Sequence, residues 1–376
     1  MSRNAPLGFY EFFAGGGMAR LGLGVGWSCL YANDFDPLKA ATYRDNHADA
    51  YGHFHEGDVW AAKSADLPGQ ADLAWASSPC QDFSLAGARA GLQGGRSSAF
   101  FGFWTLMEAL GAEGRAPRTI VIENVVGLLT SHGGMDFEAL CRALAGQGYH
   151  FGALEIDAAR FTPQSRPRVF VIATRSAPPP HLTARGAFHT RAVVKAEHSL
   201  PQDLRDRWIW WRLPAPPVRN SHLNAILEPD DQVVWREPAE TGRILGLMTP
   251  AHLARLERAG ESGRAVGTIF RRMRGGSQRA EVRLDGAAGC LRTPRGGSSR
   301  QTVVVADRGV IRSRLLTPRE GARLMGLPDS YRLPKTDTGA FHVIGDGVAV
   351  PVVRWLAAHL LEPLLADDGT AALAAE

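Results

Sequence analysis

Paired cysteines are missing from this chain. Its four cysteines, Cys29, Cys80, Cys141 and Cys290, are scattered and form no Cys-x-x-Cys unit. That spacing argues against a zinc cage or a disulfide framework, and no metal site is expected. It also favours a reducing setting. No secretory leader is expected, because the N-terminus Met1-Ser2-Arg3-Asn4-Ala5-Pro6 does not carry a signal-peptide apolar region. No apolar run reads as long enough to span a bilayer, so no membrane role is expected. Internal repeats are absent, and lysine is scarce beside arginine. What remains is ordinary globular composition: 376 residues, 45% hydrophobic and 21% charged, enough for a full core and about two domains.

The net charge of +4 is modest; its placement says more. From Arg271 to Arg300 there are eight arginines against two acids, Glu281 and Asp285, with glycine and serine between them. Arginine pairs with phosphate or guanine in two-pronged fashion, and glycine lets backbone approach closely, so this stretch fits a nucleic-acid surface. A solvated arginine-rich face is the plainer reading.

The first half alternates strands and helices. Leu7–Phe13 reads as a strand, Ala14-Gly15-Gly16-Gly17 as a tight turn, and Met18–Leu23 as a helix start, the layout of a nucleotide-type site. The strand Trp27–Ala32 is followed by Asn33-Asp34-Phe35-Asp36-Pro37 and a helix over Leu38–Asn46. Asp34 falls where such folds hold ribose hydroxyls; capping the helix is the other job on offer for Asp34 or Asp36. Phe54–Val59 reads as a third strand with Asp58 near its end. Ala71–Ala76 is a fourth, running into Ser78-Pro79-Cys80-Gln81 and a glycine-rich stretch. A lone cysteine is most often a small buried hydrophobe; one at a strand exit before a flexible loop sits where a nucleophile would. A helix over Phe100–Leu110 precedes Arg118–Val125, a β-branched run expected in the middle of a parallel sheet and carrying Glu123 near its end. A helix over Met135–Gly146 and a strand over Val169–Thr174 complete the pattern, with Arg166 and Arg168 entering that strand. At Pro178-Pro179-Pro180 alternation stops, and tryptophan and proline become frequent. A domain boundary is placed there, and the region to about Lys335 is expected to be irregular and short-stranded. Thr317-Pro318-Arg319-Glu320 is a capped helix start. Val348–Leu365 is a final apolar helix, and the tail beyond it should fray.

Six of these stretches, in this order, resemble the DNA cytosine-5 methyltransferase family: Phe12-Phe13-Ala14-Gly15-Gly16-Gly17, Pro79-Cys80-Gln81, Glu123-Asn124-Val125, Gln164-Ser165-Arg166-Pro167-Arg168, Arg314–Pro328 and Gly345–Pro351. The resemblance implies a doubly wound, Rossmann-like α/β catalytic domain with a smaller irregular target-recognition domain. Residues 1–177 would be catalytic, 178–337 would recognise DNA, and 338–376 would return to the catalytic domain. It implies methyl transfer from S-adenosylmethionine, leaving S-adenosylhomocysteine, to carbon 5 of a flipped-out cytosine. Cys80 would be the nucleophile, Glu123 would bind the ring N3 and amine, Arg168 would hold O2, and Arg166 would order the site. Phe13, Ala14, Gly15, Gly16 and Gly17 would border the cofactor, with Asp34 on its ribose. Phe35, Asp58 and Val59 would lie around its adenine, with Pro79 and Asp346 also in contact. Gln81, Ser84, Arg96, Arg292 and Arg295 would meet DNA. Duplex DNA is the implied partner of a monomeric, cytoplasmic, bacterial or phage-encoded enzyme; a cognate restriction endonuclease is a further candidate. An RNA-directed enzyme of the same fold, a silent DNA-binding module and a nicotinamide dehydrogenase are the competing readings. Three departures stand out: three consecutive glycines in the cofactor loop, Gly345-Asp346-Gly347 where Gly-Asn is usual, and Cys290-Leu291 where Thr-Leu is usual.

Overall fold

A computed structural model describes residues 5–78, 99–293 and 300–366. Packing divides the chain into two compact units, one comprising Met1–Ile156, Pro167–Pro216 and Val352–Glu376, the other Asp157–Arg166 and Pro217–Pro351.

The first unit follows the alternation seen in the sequence. Its elements are β1 (Leu7–Phe12), α1 (Met18–Leu23), β2 (Trp27–Asp34), α2 (Pro37–Asn46), β3 (Phe54–Glu56), β4 (Leu73–Ala76), α3 (Ala99–Ala112), β5 (Thr119–Val125), α4 (Met135–Gly146), β6 (His150–Asp157) and β7 (Pro167–Thr174). They form a seven-stranded sheet in the order β3-β2-β1-β4-β5-β7-β6. The first five in that order run parallel, and β7 lies antiparallel to β5. This is the expected doubly wound α/β architecture. The chain reverses its direction of travel across the sheet between β1 and β4, where folds of this kind bind ligands at the carboxyl ends of the strands. Leu73, Ala74, Trp75 and Ala76 of β4 are all buried, as are Thr119 to Asn124 of β5. Such runs belong to central strands covered on both faces. Phe103 of α3 meets Phe12 of β1 edge-on, ring centres 4.9 Å apart. This anchors the end of β1 just before the glycine turn.

Two differences from the sequence reading concern this unit. Strand β6 went unread, and the tryptophan-rich stretch does not leave the unit at Pro178. Phe151 of β6 donates its N–H to the Arg207 carbonyl and accepts from Ile209 N–H. Trp211, fully buried, donates its indole N–H to the Ile172 carbonyl of β7 at 3.0 Å. The tryptophans are therefore wall material for the sheet, and the compact units divide at Pro216–Pro217.

In the second unit, the stretch expected to be irregular and short-stranded forms a regular antiparallel sheet, ordered β11-β10-β8-β9. Its strands are β8 (Ala265–Arg274), β9 (Ser277–Arg283), β10 (Thr302–Asp307) and β11 (Val310–Leu315). Leu256, Ile269, Val282, Val304 and Ala306 make its core. Thr317 and Glu320 form the expected capping box. Glu320 also takes two hydrogen bonds from the buried Arg314 guanidinium, at 2.8 and 2.5 Å. By length and composition Asp337–Ala366 is apolar enough to cross a membrane, contrary to the sequence expectation. Its helix is interrupted at Gly347–Ala349, and Val352, Val353, Leu356, Leu360 and Leu361 are buried in protein. That is the signature of core helices.

Gly152 tests the packing of the tryptophan segment. A Cβ there would lie 1.8 Å from the Ile209 carbonyl oxygen. Gly152→Ala is expected to destabilise by about 1–3 kcal/mol or more. This should read as a lower urea midpoint with little change in the slope of the transition. An unchanged midpoint would mean that residues 207–211 do not pack there.

Candidate active site

The turn after β1 is held by main-chain geometry that its sequence makes possible. Phe13 has φ of 57°, Gly15 56° and Gly17 77°. The left-handed region is open to glycine and unfavourable for phenylalanine, so Phe13 carries strain, as residues at ligand sites often do. The glycines differ in what surrounds them. A Cβ on Gly15 would meet nothing within 4 Å, whereas one on Gly17 would lie 2.2 Å from Nε2 of His47. Gly15 is open for the close approach of a ligand, and Gly17 is packed from behind.

The end of β2 braces this turn. Asp34 is 5% exposed. Its Oδ2 accepts from Gly15 N–H at 2.8 Å and its Oδ1 from Asp36 N–H at 3.0 Å. Burial raises its carboxyl above the ordinary range, and Lys39 and the two backbone donors pull it back. Asp36 is the residue that caps α2, accepting from the N–H groups of Leu38 and Lys39. Phe35, by contrast, is 68% exposed on the same turn. Asn33 had no assigned part in the sequence reading. Its amide donates to the carbonyls of His55 and Gly57, each at 3.0 Å, and so ties β2 to the loop that carries Asp58. Asp58 is exposed and accepts from Trp60 N–H; Val59 is buried.

A second cluster forms where β4, β5 and β7 meet. Glu123 and Arg168 sit on neighbouring antiparallel strands, two residues apart in register and on the same face. Arg168 Nε lies 3.1 Å from Glu123 Oε1, and both side chains are largely shielded from water. Nη1 of Arg168 donates to the Pro167 carbonyl. Asn124 points the other way along the sheet. Its amide donates to the Ser78 carbonyl at 3.0 Å and to Ser78 Oγ at 3.3 Å, while its own carbonyl oxygen accepts from Val125 N–H. The exit of β4 is thus pinned to β5. Pro79, Cys80, Gln81, Ser84, Arg96 and Arg295 lie outside the described residues.

Arg166 belongs to the second unit. It is 2% exposed. Its guanidinium donates to the carbonyls of Leu291, Gly345 and Gly347 and to the sulfur of Cys290. Gln164 supports the same place, donating to the Leu324 carbonyl and accepting from Leu291 N–H. These contacts staple Cys290-Leu291 to the helix end at Gly345–Gly347. Asp346 accepts a hydrogen bond from the Thr293 hydroxyl, and Arg292 beside Thr293 is exposed. Among the described residues no group of histidine, cysteine and acid could hold a metal ion.

Beneath the glycine turn lies a set of ionisable groups that the sequence reading missed. Glu11 of β1 is 1% exposed. It accepts from Arg20 N–H and from the Tyr43 hydroxyl; that hydroxyl also meets Arg20, His53 and the Cys29 thiol. Desolvation drives the Glu11 carboxyl up to about 8 and the buried His47 imidazole down to about 4. The signal was weak: one acid inside an apolar strand, and two histidines some forty residues later.

A doubly wound sheet with a braced glycine turn at its switch point, and an acid–arginine pair two strands away, is the framework of a Rossmann-like methyltransferase domain. Comparison with known proteins extends this. The C-5 cytosine-specific DNA methylase family profile matches residues 7–362. Type II methyltransferase M.BsuFI of Bacillus subtilis is 26% identical over 97% of this chain and 75% of its own length. M.HhaI of Haemophilus parahaemolyticus is 25% identical, over 94% of each. Among solved structures, the Dnmt2 methyltransferase of S. pombe superposes with a TM-score of 0.59 at 19% identity, covering 95% of this chain and 99% of that one. A DNA modification methyltransferase encoded in an E. coli prophage gives 0.58 at 16%, covering 96% and 99%. The chain belongs to the C-5 cytosine-specific DNA methylase family, and its activity is DNA cytosine methylation.

The Glu11 cluster sets a pH dependence. The folded carboxyl keeps its proton to a higher pH than the unfolded one. Its stabilising contribution is therefore complete below about 4.5 and is lost as pH rises through about 8. Glu11→Gln keeps the shape and cannot ionise. Denaturant titrations across that window should show the wild type losing stability on the order of 1–4 kcal/mol relative to Glu11→Gln. Parallel stability curves for the two proteins would contradict the assignment.

Proposed function

We infer that the chain transfers the sulfonium methyl of S-adenosylmethionine to carbon 5 of a flipped-out cytosine in a specific duplex DNA sequence, through a covalent bond between Cys80 and carbon 6. The observation that carries the reading is the Glu123–Arg168 pair on strands β5 and β7, beside a β4 exit that leads within two residues to Cys80. Carbon 5 of cytosine is a poor nucleophile. Addition of the Cys80 thiolate to carbon 6 makes an S–C bond and places the electron pair on an enamine whose carbon 5 can attack the sulfonium methyl, whose bond to sulfur breaks to release S-adenosylhomocysteine. Glu123 hydrogen-bonds the exocyclic amine and donates a proton toward N3, which lets the ring accept the electron pair. Arg168 keeps Glu123 in place and turns its remaining N–H groups toward O2. Removal of the carbon-5 proton by a base then expels the cysteine and restores the ring.

The cofactor's pocket is assigned to Phe13, Ala14, Gly15, Gly16 and Gly17, with Asp34 on the ribose. Phe35 and Val59 are assigned to flank the adenine and Asp58 to bind its amine, with Pro79 and Asp346 as further cofactor contacts carried over from the motif match. Three features of the protein support the fit: open space at Gly15, the exposed ring of Phe35, and an Asp34 carboxylate whose two hydrogen bonds leave acceptor capacity for hydroxyls. Arg166 acts by holding the Cys290-Leu291 segment. Gln81, Ser84, Arg96, Arg292 and Arg295 are assigned to DNA. Within residues 178–337 the recognition role falls to the second unit, from Pro217 on, and the chain returns to the catalytic unit at Val352. The setting is a bacterial or phage-encoded cytoplasmic enzyme with a cognate restriction endonuclease as a second partner on the same site.

Bisulfite sequencing of DNA from cells expressing the chain should show complete methylation of cytosine within one short sequence. Cys80→Ala should abolish it, a loss of at least about 10⁴-fold, while S-adenosylmethionine binding by calorimetry persists. Methylation of transfer RNA in place of duplex DNA, or activity retained in Cys80→Ala, would overturn the reading.

A further inference from the structure

One glycine in the first unit has no turn to make. Gly102 lies in the first turn of helix α3 and is buried. Glycine inside a helix weakens it relative to alanine, so its presence asks for a packing reason. The reason is a close neighbour. A Cβ on Gly102 would lie 2.8 Å from Cγ1 of Val59 and 3.1 Å from both Cδ2 and Cε2 of the Trp60 indole. The bare backbone of α3 is therefore a notch, and the single 3₁₀ turn Val59–Ala61 is seated in it. Asp58 stands at the head of that turn and caps it, its Oδ1 accepting from Trp60 N–H at 3.1 Å.

The two sides of this contact differ in stiffness. Phe100, Phe103, Leu106, Met107 and Leu110 hold α3 in the core, each at most 4% exposed. Across from it Val59 is buried, while Asp58, Trp60 and Ala61 are exposed. Val59 is β-branched and has little freedom at χ1. A side chain added at position 102 would therefore displace the turn and not the helix. Upstream, Asn33 donates to the Gly57 carbonyl and Gly57 N–H donates to the Asp34 carbonyl, both at 3.0 Å. Those bonds fix the entry to the turn against β2. The exit rests on the notch, because Ala61 N–H and Ala62 N–H bond back to the Asp58 and Val59 carbonyls of the turn itself. The direction of the Asp58 side chain is thus set from two elements, β2 and α3.

We propose that Gly102 is a positioning residue for the cofactor, and that the notch it leaves on α3 aims the Asp58 carboxylate at the adenine amine. The proposal rests on the cofactor assignment above and adds to it a residue that touches no ligand. A hydrogen bond depends on direction as well as distance. A small displacement of the turn misaligns the carboxylate and the Val59 wall together. Glu123 and Arg168 are carried by β5 and β7 and stay in place. The effect of filling the notch falls on cofactor affinity, and on the amine in particular, and not on the chemical step.

Calorimetry on the full chain tests this with S-adenosylmethionine and with an analogue carrying hydrogen in place of the adenine amine. The wild type should prefer the natural cofactor about 10-fold or more. Gly102→Ala should bind S-adenosylmethionine about 10-fold more weakly and lose most of that preference. Its maximal methylation rate at saturating cofactor should stay within about twofold of wild type. General loosening of the fold would weaken both ligands alike and leave the preference intact. On a Val59→Ala background the same change at Gly102 should cost less than about threefold, because the Cγ1 it meets is gone. A wild type indifferent to the amine, an unchanged affinity or preserved preference in Gly102→Ala, or equal losses on both backgrounds would overturn the assignment while cofactor binding by the wild type stands. A wild type that binds no S-adenosylmethionine would defeat the parent reading and the assignment with it.

Discussion

The Asn124 side chain ties two strands of the sheet at the point where chemistry leaves each of them. Its two donors hold Ser78, the last described residue before Pro79-Cys80, and its carbonyl oxygen closes back on Val125. A buried amide satisfied on both ends is worth far more in place than its bonds would be in water, since losing either partner would strand a desolvated polar group. Much of what surrounds it depends on this tie. Glu123 immediately precedes Asn124, so fixing one fixes the other, and Arg168 is brought to Glu123 by the register of β7 on β5. The parallel order β1-β4-β5 then places the glycine turn, the exit of β4 and the end of β5 along one edge of the sheet.

The glycine turn is stabilised differently. It is braced from the front by Asp34 and packed from behind by His47 and the Glu11 cluster. Burying so many ionisable groups costs free energy unless each is hydrogen-bonded or neutral. Here Glu11 is kept protonated and His47 uncharged by desolvation over the middle pH range.

Much of this was legible in the sequence, for physical reasons that can be named. Strands β4 and β5 announce themselves because a strand covered on both faces must be apolar throughout. The helix at Thr317 announces itself because capping chemistry is local. What could not be read depends on distant partners. Strand β6 and the Trp208–Trp211 segment recognise each other through a glycine and backbone hydrogen bonds, and tryptophan-rich, proline-rich composition looks like a boundary when the pairing is unknown. Arg166 and Arg168 are two residues apart in sequence. Yet Arg166 donates to carbonyls in the second unit, while Arg168 pairs with Glu123 in the first.

The central claim is a covalent bond between Cys80 and the target base, and it can be trapped. Fluorine on carbon 5 of the target cytosine cannot leave as a proton does, so the enzyme that has attacked carbon 6 and transferred its methyl group cannot release the ring. Incubation with S-adenosylmethionine and a duplex carrying 5-fluorocytosine at the methylated position should give a denaturation-resistant protein–DNA complex. Mass spectrometry should place its cross-link on Cys80. A complex cross-linked through another residue, or efficient methylation of ordinary duplex with no trapped complex on the fluorinated one, would contradict the account.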